Sequence, residues 1–355
     1  MARNCLPNPT FTNNKPHFSF KYCAFFVILV FTACTPTVPN FPTIQPELTA
    51  SPETPTVTST QTIQPTFTPS PSPTVTAAPQ DDQTRYSLTA VLDYQTQQLS
   101  VQESIQYTNR SMDTLNDLVL VVEPTFQADL FTLVEASWSD GDPIENILPE
   151  AGRLTIPLQT GLTGGQSIGL QLTYTLNLPQ TPGTLCFTDR QINLTGWYAY
   201  IPPYLTGQGW VAHTPSSVGE YQVFELADYT VQFRIDNAPA GLVVASSSEA
   251  VINSEWYEYH QTDARTFSLS ISPYYQVIET LAGTTTIREY YFIEDEFPAQ
   301  TVLTATSQAI SFYSQIFGPN DRDYLAVIEG TFPDGMEYDG MYYLGEEYYQ
   351  SYNGN

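Results

Sequence analysis

The side chains able to do chemistry are few, and most are acidic. Glu337 lies in Phe332-Pro333-Asp334-Gly335-Met336-Glu337-Tyr338-Asp339-Gly340-Met341, just after an apolar alternating run from Tyr324 to Ile328 that reads as a strand. Asp334-Gly335 and Asp339-Gly340 are turn signals on either side, so the stretch between them is expected as a short extended piece facing a cleft. Such a carboxylate is held by a sheet edge, and on the residues alone Glu337 reads as a surface turn residue. Asp339, Glu346 and Glu347 could join Glu337 as a glycosidase-like acid and nucleophile. Adjacent Glu346 and Glu347 would point to opposite faces of a strand, which favours a solvated acidic edge instead. The tyrosines nearby, Tyr338, Tyr342, Tyr343, Tyr348 and Tyr349, could line a side-chain pocket or simply pack.

Other chemistries are poorly supplied. Beyond residue 34 only His213 and His260 occur, in no paired spacing, so a zinc site built from residues of this chain is not expected. Such a site takes three or four nitrogen, sulfur or carboxylate ligands. Gly165-Gln166-Ser167-Ile168-Gly169 satisfies the nucleophile-elbow pattern, but an elbow joins a strand to a helix and this match runs into the alternating stretch Ile168 to Leu176. It reads as coincidence. Cys186 is a lone thiol of the kind that packs as a small hydrophobe. No Lys follows Lys21, which excludes Schiff-base chemistry and a P-loop.

Charge narrows the partners. The chain holds 11 basic against 37 acidic residues. After Cys34 eight arginines face those 37 carboxylates, a formal charge of 8 minus 37, or −29. Nucleic acid is not an expected partner, because binding it needs cations to replace counterions on the phosphates. The acidity keeps the chain solvated, and it could draw basic peptides or divalent cations toward a cleft.

The elements that must position Glu337 follow an N-terminal processing region. Residues 1–34 combine Arg3, Lys15 and Lys21 with an apolar run from Cys23 to Ala33, too short to span a bilayer comfortably, and then Cys34. This resembles a bacterial lipoprotein signal, which implies lipidation of Cys34 as the mature N-terminus. Phe31 stands where Leu is commoner, and a plain membrane anchor is the alternative. Either way the rest is expected outside the cytoplasm, at the cell surface. Residues 35–80 are dominated by Thr, Pro and Ser and cannot bury enough apolar surface to offset ordering, so they read as a disordered stalk. Extended at ~3.1 Å per residue, the stalk reaches on the order of 100 Å. Only Cys186 is left for the folded part, so no internal disulfide is expected there.

Residues 81–278 carry recurrent period-2 alternation, as in Tyr86, Leu88, Ala90, Leu92 and again in Tyr229, Val231, Phe233, Ile235, with turn residues between runs. That predicts a β-sandwich. Residues 279–355 change character: a strand from Thr284 to Ile293, a helix opening near Pro298 with a face of Leu303, Ile310, Tyr313 and Phe317, a stop at Gly318-Pro319, a second strand, and the Glu337 segment. The fold class is therefore mainly β, with an α+β portion at the end.

The Glu337 segment resembles the G-x-M-E-N segment of the membrane alanyl aminopeptidase family, gluzincin zinc metallopeptidases whose divergent bacterial members carry a Gly-Met-Glu-Tyr version. A second match is Trp197-Tyr198-Ala199-Tyr200-Ile201-Pro202, then Gly209-Trp210, then Ala227-Asp228-Tyr229, in the order found in that family's N-terminal domain. The resemblance covers roughly residues 84–355. It implies a sandwich followed by the first part of a thermolysin-like catalytic domain, with Glu337 gripping the free α-amine of a peptide substrate and the Gly335-Met336 backbone aligning the peptide. It further implies zinc, bound by an H-E-x-x-H helix that would lie beyond Asn355, so that the chain as given is expected to be a truncated piece, inactive alone. Asp334-Gly335 stands where Gly-Ala is usual, and Tyr338 where Asn is usual. The competing expectation is a non-catalytic β-sandwich lipoprotein that binds peptides or glycans.

Overall fold

In the strand Thr84–Asp93 every second residue turns inward, so that Tyr86, Leu88, Ala90 and Leu92 are buried while Arg85 and Ser87 face water. The same alternation runs through Gln98–Thr108, Ser167–Asn177 and Ala227–Asp236. These strands join Trp256–Ala264, Val251–Asn253 and Phe131–Trp138 in a seven-stranded sheet with Thr84–Asp93 at its centre. Thr84–Asp93 pairs in parallel with Ala227–Asp236 and antiparallel with Gln98–Thr108. The computed structural model describes residues 82–215 and 220–354, all within one unit, Thr74–Asn355. Residues 1–34, expected as a lipoprotein signal ending at Cys34, and residues 35–80, expected as a stalk, lie outside the described residues.

One face of the large sheet shares a continuous apolar core with two smaller sheets. The first is three-stranded, Leu115–Val121, Arg153–Leu162 and Leu148–Glu150; the second is four-stranded, Val243–Ser246, Leu269–Ser272, Ile192–Leu194 and Leu185–Phe187. Trp197, fully buried, packs edge-on to Tyr198, and Tyr198 in turn meets Tyr86 and Tyr229, so the aromatic run that caught attention in the sequence plugs this core. Ser167 opens a strand rather than an elbow, and Cys186 is buried, its thiol pushed up to about 11 by burial.

The C-terminal part is a five-stranded sheet in the order Tyr275–Ala282, Thr285–Phe292, Tyr324–Gly330, Met341–Gly345, Gly335–Tyr338. Its three middle strands are parallel. Parallel neighbours require the chain to travel back between them. The first return is the helix Glu296–Phe317; the second is the leg through residues 331–340, which pairs antiparallel on the outside as the edge strand Gly335–Tyr338. The strand bearing Glu337 thus exists because its two flanking strands run the same way.

Two expectations need correction here. The helix buries Ala299, Leu303 and Thr306, with Ile310 half-buried, whereas Tyr313 is 56% and Phe317 80% exposed. A 22-residue helix is roughly 33 Å long, while its eight-residue neighbour Thr285–Phe292 spans about 26 Å, so the last turns overhang the sheet. Glu346 and Glu347 are not on a strand: they form the first turn of the short helix Glu346–Ser351, where acidic side chains suit the helix dipole.

Candidate functional site

Alternation along Gly335–Tyr338 decides what each side chain does. Met336 and Tyr338 turn toward the core made by Phe332, Met341 and Tyr343, while Gly335 and Glu337 turn outward and are exposed. Tyr338 is fixed by a hydrogen bond from its hydroxyl to Thr195 Oγ1, 3.2 Å, and by edge contact with Tyr343. Tight turns close both ends. Gly345 donates its N–H to the Asp334 carbonyl at 2.7 Å, and a Cβ on Gly345 would come within 2.4 Å of the Phe332 carbonyl oxygen. Gly340 has φ +74° and lies so close to the sandwich that a Cβ would stand 2.0 Å from the Ser247 carbonyl.

Glu337 faces a cleft of about 840 Å³ between this edge strand and two stretches of the sandwich, residues 220–224 and Arg265-Thr266. Asp334, Gly335, Met336, Tyr338 and Asp339 complete its wall. Asp339 is already engaged, accepting from the Arg265 backbone N–H, and Asp334 accepts from the Tyr348 hydroxyl at 3.3 Å. Glu337 and Glu220 have no cationic partner among the described residues. The Glu337 charge beside it, together with a hydrogen bond between the two carboxyls, holds Glu220 above the usual carboxylate range. Arg265 is the one cationic residue on the described wall.

The loop that brings Glu220 into place is pinned from behind. Gln222 donates its side-chain amide to Glu123, Phe224 packs on Tyr200 with ring centres 4.6 Å apart, and Tyr221 meets Phe126 edge-on. Glu123 is half-buried under the loop, and the loss of water around it pushes its carboxyl up to about 7. Of the nearby tyrosines only Tyr338 and Tyr221 line the cleft; Tyr343 and Tyr349 are buried, Tyr342 bonds Thr306, and Tyr348 bonds Asp334.

The sequence-derived residues Gly335, Met336 and Glu337 therefore come together on one strand. Glu220, Tyr221, Phe224, Arg265 and Thr266 were not anticipated, and nothing local in the sequence marks them, since chain reversal between sheets is what carries them there. His213 and His260 do not meet: His213 borders a small cavity with Phe126 and Arg153, and His260 sits across the large sheet from Thr230. Among the described residues no group of three or more His, Cys, Asp or Glu is arranged to hold a metal ion. The described residues do not fit zinc.

A second set of carboxylates lies on the helix side of the C-terminal sheet. Glu289 and Glu329 are both fully buried. Glu289 accepts from the Tyr349 hydroxyl, and Glu329 Oε2 accepts from the Phe292 N–H at 2.8 Å. Glu289 Oε2, Glu329 Oε1 and Asp295 Oδ2 find no donor among the described residues. Burial, reinforced by the Asp295 charge, pushes Glu329 up to about 8, and burial drives Glu289 well above its ordinary range.

No protein-family model and no curated protein matches the chain. Among solved structures it is similar to an M1 zinc metallopeptidase from Deinococcus radiodurans, with TM-score 0.50, 17% identity, and coverage of 74% of this chain and 60% of that one. A variant of a two-domain M1 zinc metallopeptidase bound to L-arginine aligns with TM-score 0.49 and 17% identity over 77% of this chain and 61% of that one. A variant of the Deinococcus radiodurans protein bound to a Tyr-Ser-Ala substrate gives TM-score 0.48 and 17% identity over 74% and 59%. The chain spans about three fifths of the length of the structures it matches, 60% of the first. The likeness to the first is one of fold.

Proposed function

We propose that the chain carries the substrate-recognition side of a zinc-dependent aminopeptidase acting on the free N-termini of peptides. Glu337 receives the α-ammonium, the Gly335-Met336 backbone aligns the peptide, and Glu220 shares the bound charge. The observation that carries this reading is an exposed carboxylate on an edge strand, set opposite a second carboxylate in a cleft large enough for a residue or two of peptide. Two facing carboxylates repel, and an ammonium between them replaces that repulsion with two charge-assisted hydrogen bonds. The shared fold with an M1 zinc metallopeptidase agrees with it. A lipid anchor at Cys34 and a location at the bacterial cell surface belong to the same reading and rest on the sequence alone.

Binding tests this without any need for turnover. Leucinamide, with a free α-ammonium, should shift the NMR resonances of the cleft residues of the 355-residue chain, whereas N-acetyl-leucinamide should not. Equal response to both ligands, or no response to either, rejects the reading.

A further inference from the structure

The strand that carries Glu337 is held at both ends by the sandwich, and at its entrance one side chain does most of the holding. Gln191 precedes the strand Ile192–Leu194 and is 1% exposed. Its side-chain amide is spent on the neighbouring sheet. Nε2 donates to the Glu329 carbonyl at 2.9 Å and to the Tyr275 hydroxyl; Oε1 accepts from the Thr331 N–H at 3.0 Å and from the Thr331 hydroxyl at 3.0 Å. The amide is itself held in orientation, with Asn193 Nδ2 donating to Oε1 at 3.1 Å and Nε2 reaching Ser270 Oγ at 3.3 Å.

The two backbone groups that Gln191 takes lie on either side of Gly330, the last residue of the parallel strand. The ladder with Met341–Gly345 ends there, at the pair Gly330 and Gly345. Beyond that point the Thr331 N–H has no strand partner, and the side-chain amide of Gln191 supplies what another strand would have supplied. At the exit, Thr266 Oγ1 accepts from the Asp339 N–H at 3.0 Å, and Gly340 abuts the Ser247 carbonyl. Gln191 does not line the cleft.

We infer that Gln191 is a positioning residue for the cleft. It fixes the point at which the chain leaves the parallel strand, and with it the register of Gly335–Tyr338 and the place of the Glu337 carboxylate. The ligand part of the test rests on the aminopeptidase reading; the rest does not.

The experiment compares Gln191→Leu, which removes every bond of the amide, with Gln191→Glu, which keeps the acceptor and loses the donor. Amide hydrogen exchange is followed in the 355-residue chain. Loss of the buried bonds should speed exchange across residues 331–345 by about tenfold or more in Gln191→Leu, and by less in Gln191→Glu. Exchange in the strand pair Thr84–Asp93 and Gln98–Thr108 should stay within about twofold, since those strands share no partner with Gln191. Leucinamide affinity should fall in the same order as the local exchange rises. Uniform acceleration over the sandwich, or unchanged exchange at residues 331–345, overturns the inference. If Gln191→Leu does not fold, Thr331→Val removes the hydroxyl contacts with Gln191 and Thr188 while keeping the Thr331 N–H bond, and should give the same local pattern at smaller size; its absence is equally decisive. Failure of the unaltered chain to bind leucinamide counts against the aminopeptidase reading alone, because the exchange pattern does not depend on a ligand.

Discussion

On the helix side of the C-terminal sheet Glu289 and Glu329 are sealed from water, with Asp295 and Tyr349 as neighbours; at the edge of the same sheet Glu337 stands in the open opposite Glu220. The side chains are of one type and lie on connected strands, yet they meet opposite conditions. Burial makes the charged form expensive, so Glu289 and Glu329 hold protons into the neutral range and act as hydrogen-bonding groups. Glu337 is exposed to water at the cleft. A carboxylate's place in the fold, rather than its identity, decides whether it contributes to stability or to binding. A count of 37 acidic residues in the sequence does not separate the two.

The largest expected effect is on stability against pH. Glu329 and Glu103 are each pushed up to about 8, in both cases chiefly by burial. A carboxyl whose folded-state pKa is raised stabilises the fold fully below its unfolded pKa and loses that contribution as pH rises through the folded value. The share of the unfolding free energy that Glu329 and Glu103 contribute should therefore fall between pH 5 and pH 8, at roughly 1.4 kcal/mol per pH unit for each of the two. Urea denaturation at pH 5, 6, 7, 8 and 9 measures it, and Glu103→Gln should flatten the slope by one group's share. A flat profile in the unaltered chain would mean that the buried carboxyls gain no protons on folding.

Next in size is Tyr349→Phe, which strips Glu289 of the only donor described for it. Leaving a buried polar group unpaired costs about 1–3 kcal/mol, to be read as a lower denaturation midpoint with unchanged slope. Glu337→Gln should do the reverse. Because the residue is exposed, stability should move by no more than about 0.5 kcal/mol, while leucinamide affinity should drop roughly tenfold to a hundredfold with the loss of a charge-assisted bond. If Glu337→Gln destabilises the chain as much as Tyr349→Phe does, the distinction between the two sides is wrong.

Much of this fold is legible in the chain because alternation and turn chemistry are local. Tyr86 to Leu92 and Tyr229 to Phe233 turn inward as their spacing demands, and the two Asp-Gly turns bracket Gly335–Tyr338. What escapes is where tertiary context overrides a local rule. Glu103 occupies an inward position between Val101 and Ile105, where its Oε2 accepts from Tyr174 and from the Ala199 N–H, partners supplied by other strands and invisible in its own run. Tyr313 and Phe317 keep the helical periodicity yet stay exposed, because the pattern gives a periodicity but not the length of sheet beneath it. Glu346 and Glu347 begin the helix Glu346–Ser351 instead of continuing the strand, which ends at Gly345, where a Cβ would stand 2.4 Å from the Phe332 carbonyl oxygen. The cleft was half legible. One wall is a contiguous segment with turn signals, whereas the other is assembled from residues 220–224 and 265–266, which become neighbours only when the sheets do.

The smallest expected effect isolates the exposed pair. Glu220 sits above the usual carboxylate range first because the Glu337 charge is beside it, and second because the two share a hydrogen bond. Both causes vanish in Glu337→Gln, so the Glu220 carboxyl, followed by carbon NMR, should return toward its ordinary titration. Leucinamide should do the same to Glu220 in the unaltered chain, because a bound ammonium favours the ionised form, and binding should therefore release protons at mildly acid pH. Affinity should therefore rise with pH as Glu220 gives up its proton to meet the cation. Salt should weaken both effects, the pair being open to solvent. Were Glu220 to titrate identically with and without Glu337, the two carboxylates would not be neighbours in solution, and the cleft would offer an ammonium only one partner.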